Sequence, residues 1–253
     1  MIIRPKVNQF AILFTLKGSI AKRIAMRTLM VTLLASAIVL VEILHPSNFT
    51  KVNATPFTLL GLSLSIFMNF RNNACYDRWY EARKAWGEVI VEVRSMIRET
   101  LVIKDTNERH TILSNLCGFA HALNARLRRE KELAASGDWL HPMPKGDTTD
   151  ISGQILMQVG QQCSTLNESG AINDWRYTLM ANHLAGLTHA QAVCERIKHT
   201  PLPFPYTLLL HRTIYLFCIL LPFAMAEPLG WLTPIFTAIV SYTFFGLDAI
   251  ADE

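Results

Sequence analysis

The chain has 253 residues, of which 51% are hydrophobic and 17% charged, well below the roughly 25% charged of ordinary soluble domains. That balance excludes a disordered chain, a collagen-like repeat, a coiled coil and a disulfide scaffold. Net charge is +4, but basic residues stand alone near the N-terminus (Arg4, Lys6, Lys17, Lys22, Arg23, Arg27) while 71–200 mixes both signs almost evenly, which argues against a nucleic-acid face.

Apolar residues gather towards both ends, as expected of an integral membrane protein. Crossing a hydrocarbon core of about 30 Å takes about 20 apolar residues in a helix. In chain order, AILFTL is too short for a signal-peptide core, so no targeting peptide is expected. The first predicted span is Thr28–Leu44, apolar except for Glu42. The second, Phe57–Phe70, follows Pro56 and stops at Arg71; it would reach only about 21 Å as a helix. Leu62, Ile66 and Phe70 stand on one face of it, at helical spacing. They are either a packing stripe or the lining of a constriction.

Residues 72–103 read as a long amphipathic helix running directly out of that span, with Trp79, Ala82, Trp86, Val89, Val93, Ile97 and Leu101 in stripe. A second cytoplasmic helix is predicted over 107–133. Asp150 or Ser152 can cap a helix to about Thr165, and Asn173 or Asp174 can cap one to about His199. The TPLPFP run at 200–205 ends that helix, since proline lacks an amide hydrogen and disfavours helix in the preceding residue. Two more spans follow, Tyr206–Ala226 and Leu229–Leu247. No useful alternation of period two occurs. The expected fold is all-α: an integral membrane protein with four membrane-spanning helices and a helical cytoplasmic region. Its expected divisions are 1–70, 71–205 and 206–253. Positive-inside counting puts both termini and 71–200 in the cytoplasm, and hence the protein in the inner membrane.

Chemistry is not advertised. The five cysteines are unpaired by any metal spacing, and the eight histidines form no ligand motif. No nucleophile elbow, Walker loop or dinucleotide fingerprint is present. No enzyme activity, metal or cofactor is expected.

The stretch FRNNACYDRWYEARKAWG at 70–87 resembles the signature of the bestrophin ion channels, in their bacterial branch. The residues carrying it are Arg71, Asn72, Asn73, Asp77, Arg78, Trp79, Glu81 and Trp86. Further matches are LGLSLSIFMNF before it, Pro-Phe-Pro at 203–205 and GLDAIADE at 246–253. The resemblance implies a homopentamer in the lipid bilayer around one central pore. Its hydrophobic neck would be formed by Leu62, Ile66 and Phe70, and a cytoplasmic constriction by Met180. Animal members bind Ca²⁺ through an acidic cluster after the fourth span. Only Asp248, Asp252 and Glu253 stand there, so no Ca²⁺ clasp is expected. Animal bestrophins pass anions past stacked phenylalanines, whereas bacterial members are thought to pass monovalent cations. With Ile66 at mid-neck and Glu42 and Glu227 near outer span ends, Na⁺ or K⁺ is expected to be preferred over Cl⁻. The alternatives are a chloride-selective channel and, in other classes, a membrane-anchored scaffold or a secondary transporter.

Overall fold

The computed structural model describes residues 19–45, 53–141 and 150–252. Glu253, the last residue of the acidic set named above, lies outside them. Within them the chain is helical, and no strand occurs among the described residues. In order come α1 (Ala21–Leu44), α2 (Thr55–Glu99), α3 (Thr106–Arg128), α4 (Glu132–Ser136), α5 (Ile151–Glu168), α6 (Asp174–His199), α7 (Phe204–Leu229) and α8 (Thr233–Ala251). The helices form two compact units.

The first unit takes residues up to Tyr76 and from Leu202 onward. Two stretches in it are long and apolar enough to cross a membrane, α1 and the 48-residue Phe204–Ala251. The latter is a hairpin, broken by a 3₁₀ turn at Gly230–Leu232 in which Gly230 takes φ 50°. Glycine pays no Cβ penalty there. Pro222 and Pro228 lie inside α7, each removing a backbone donor. The core is built from Ile24 and Val31 of α1, Leu64 and Met68 of α2, Ile214 and Phe217 of α7, and Phe245 of α8. The outward faces are apolar too, with Leu33, Leu40, Leu216, Ile235 and Ile239 exposed. Such surface suits hydrocarbon and not water.

The second unit is Asp77–Pro201. Its core joins Val89 and Met96 of α2 to Leu116, Phe119 and Leu123 of α3, Ile155 and Val159 of α5, and Leu184 and Leu187 of α6. Polar contacts between α2 and α6 flank that core: ion pairs of Glu81 with Arg196 and Glu99 with Arg176, and a 2.7 Å hydrogen bond between Glu92 and His183 Nδ1. Gly186 makes room for the Glu92 side chain, which would lie 2.6 Å from an added Cβ.

The short span and the amphipathic helix expected to run out of it are one uninterrupted α2 of 45 residues, about 68 Å long and more than twice the thickness of the hydrocarbon core. One boundary differs from expectation: the helix expected over 107–133 breaks at Arg129, whose φ of 62° closes α3. Glu130 N–H donates to the Ala125 carbonyl at 2.9 Å, the six-to-one bond of a Schellman ending.

Candidate functional site

The membrane-side half of α2 has two faces. Leu64, Met68 and Arg71, at i, i+4 and i+7, are buried in the first unit. Leu62, Ile66 and Phe70 are 61%, 49% and 60% exposed. Leu59 extends that exposed stripe one turn back, and Asn73 ends it with a polar side chain. An apolar surface thus gives way to a polar one along a single helix edge.

Three contacts fix how this half of α2 is turned. Near its start, Gly61 lies against the Phe217 ring of α7, so that an added Cβ would stand 3.1 Å from it. One turn before Arg71, the Tyr206 hydroxyl donates to the Phe67 carbonyl at 2.9 Å. At the end, Arg71 is 1% exposed and Asp248 of α8 fully buried. Arg71 Nη1 donates to Asp248 Oδ1 at 2.6 Å, and Nη2 to Asp252 Oδ1 at 2.8 Å and to the Asp248 carbonyl at 3.2 Å. The second Asp248 oxygen, Oδ2, lies 2.8 Å from His211 Nδ1 of α7. Close by, the Cys75 thiol donates to the Ala251 carbonyl at 3.3 Å. Arg71 Nε is buried without a partner among the described residues. A charge buried this deeply is tolerated only when paired and hydrogen-bonded.

The signature residues fall into separate roles. Asn72 is half-buried, with its carbonyl oxygen unpartnered among the described residues, while Asn73 and Asp77 are exposed. Arg78 donates to the Thr200 carbonyl, and Glu81 pairs with Arg196. Their partners lie on and just after α6. Trp79 is exposed beneath Arg83, whose guanidinium lies 6.0 Å from the ring centre, and Trp86 is half-buried.

Met180 requires a correction. It is fully buried in the core of the second unit, and a side chain lining a passage must be presented on the subunit surface. No constriction is assigned to it. Among the described residues no cluster of three or more His, Cys, Asp and Glu side chains could hold a metal ion.

The Arg71–Asp248–His211 node was not legible from spacing, because its members lie 177 and 37 residues apart. The available signal was compositional. Ionisable side chains at the edges of apolar spans are costly and therefore need partners.

Comparison with known proteins agrees with this architecture. A model of the bacterial/fungal bestrophin family matches residues 1–253. A voltage-dependent anion channel-forming protein of Mesorhizobium japonicum is 36% identical over 256 residues, covering 100% of this chain and 83% of that protein. One from Salmonella typhi is 36% identical over 257 residues, covering 100% and 84%. A crystal structure of a bacterial bestrophin homologue from Klebsiella pneumoniae superposes with a TM-score of 0.83 at 35% identity, covering 91% of this chain and 87% of that one. Bestrophins are ion channels and not enzymes. The chain belongs to the bacterial/fungal bestrophin family and is a membrane ion channel of that type.

Proposed function

We propose that this protein conducts monovalent ions passively through a pore shared by five copies, with α2 of each copy lining the axis. Leu62, Ile66 and Phe70 of each copy form stacked rings, a hydrophobic neck that ions cross only when it widens or wets. The observation that carries this reading is the exposed apolar stripe on a helix whose opposite face is pinned in its own unit. One short span cannot enclose a water path, whereas five copies around an axis can. They also hide its length mismatch from lipid. Residues 71–200 and both termini face the cytoplasm of an inner-membrane protein, an orientation that the placement of Lys and Arg supports.

Selectivity in this reading favours Na⁺ and K⁺ over Cl⁻. The edge of an aromatic ring is positive and suits an anion, and Phe70 supplies one such ring per copy within the stripe, with aliphatic Leu62 and Ile66 beside it. Glu42 and Glu227, on the other side of the membrane in this topology, add negative potential at the pore's outer approach. A second reading, anion selectivity, is supported by the names of the Mesorhizobium and Salmonella relatives, which describe them as anion channels. The reversal potential of the purified protein in a planar bilayer under a NaCl gradient separates the two. A value near the Na⁺ equilibrium potential supports cation selectivity, and one near that of Cl⁻ overturns it in favour of the anion reading.

A further inference from the structure

Phe70 and Arg71 are adjacent in sequence and about 100° apart around the helix. The first belongs to the exposed stripe, and the second is a fully buried side chain of the opposite face. Leu64 and Met68, the other members of the buried stripe, make apolar contacts that tolerate sliding and rotation. Arg71 does not, because a planar guanidinium held by two carboxylates and a carbonyl has one orientation. A buried ion pair adds little net stability over a well-packed apolar substitute. What it supplies is a defined geometry, here at the residue next to the neck.

We propose that Arg71 is a positioning residue of the pore. Clasped by Asp248 and Asp252, it fixes the rotation of α2 about its own axis and so holds Ile66 and Phe70 towards the passage. Because Asp248 also holds His211, α2, α7 and α8 meet at one node. The end of α8 is therefore the place from which the neck is controlled. Displacing residues 248–252 frees Arg71, lets the part of α2 around Phe70, beyond the Tyr206–Phe67 contact, turn, and changes the fraction of time the neck is open. This inference rests on the neck assignment given above.

The test measures open fraction at fixed voltage in symmetric NaCl, from single channels of the full chain, for the wild type, Asp252→Asn, Arg71→Lys and Ile66→Ala, and for the first two variants combined with Ile66→Ala. Asp252 is 38% exposed, so Asp252→Asn retains the fold while removing the negative charge from one arm of the clasp. Its open fraction is expected to change roughly five- to tenfold, the lower part of the range for coupled sites. Arg71→Lys keeps the charge but loses the bidentate geometry, and changes it further in the same direction. In the Ile66→Ala background, where the neck is already wide, both effects disappear, as a double-mutant cycle requires of coupled groups. A purely structural role would lower thermal stability and ring yield without moving the open fraction of assembled channels. Open fractions at the wild-type level, with Ile66→Ala still raising current, overturn the clasp and leave the neck standing. Equal changes in both backgrounds overturn it too, since the clasp would then act elsewhere. An Ile66→Ala protein with wild-type current removes the neck assignment itself.

Discussion

Two side chains two positions apart on α2 separate a pore lining from a packing surface. Leu64 is buried in the core of the first unit, and Ile66 is half exposed on the other side of the helix. Leu64→Ala should cost about 2–5 kcal/mol, the usual loss for a large-to-small change in a core. Ile66→Ala should stay within about 1 kcal/mol of wild type and raise the single-channel current. Thermal unfolding in detergent, read beside bilayer currents, checks both. A loss as large at Ile66 as at Leu64, with current unchanged, would identify a packing stripe. Cysteine reactivity gives an independent residue-level check. Burial pushes the Cys163 thiol from 9.0 up to about 11, and burial, with Glu195 and Glu88 beside it, also raises that of Cys194. Cys117 is exposed. In folded protein a maleimide at neutral pH should therefore modify Cys117 and spare Cys163 and Cys194, as mass spectrometry of the peptides would show. The sign of the linkage follows from the raised value, since the folded state keeps the Cys163 proton after the unfolded chain has lost it. Stability from this thiol is complete below about pH 9 and is lost as the pH rises towards 11. Met180 is the converse lesson at this scale. A methionine on an amphipathic helix suits a core as well as a pore, and only packing distinguishes the two.

Helix ends were more legible than helix interiors. Asn173, Asp105 and Asp150 are the caps of α6, α3 and α5, each accepting from a backbone N–H in the first turn, and two of the three were readable as short polar residues ahead of apolar periods. Asn173 accepts from Arg176 N–H at 2.9 Å. Asn173→Ala should lower stability by about 1 kcal/mol and lower the unfolding midpoint of the helical cytoplasmic region. An unchanged midpoint would mean that packing of Leu184 and Leu187, and not the cap, holds the start of α6. The end of α3 carries no mark in the sequence, because Arg129 occupies a left-handed position that glycine usually fills. The continuity of α2 followed from the lack of any proline between Pro56 and Thr100. The clasp at Arg71 did not, since sequence periodicity reports which face is buried and says nothing of what meets it there. Pairings across 177 residues are set by tertiary packing alone.

For the whole molecule, the apolar surface of the first unit sets the terms of assembly. α1, α7 and α8 all present large side chains outward, and lipid can cover them. The exposed edge of α2 ends in Asn73, and the stretch of α2 from Thr55 to Phe70, before the buried Arg71, is only 16 residues, about 24 Å. That edge is too short for lipid and is better served by other copies of itself around a wet axis. The same reasoning fixes a topology test. Cys117 should resist a membrane-impermeant thiol reagent in intact cells and react once the membrane is opened, whereas a cysteine placed at Asn53 should react in both. The opposite pattern would invert the topology. Mass measurement of protein that still conducts, in mild detergent, should give five times the 28.6 kDa chain. A conducting monomer would show that Leu62, Ile66 and Phe70 do not meet their counterparts. Ion flux would then have to pass within one subunit, through a core in which Leu64, Met68 and Phe245 are buried.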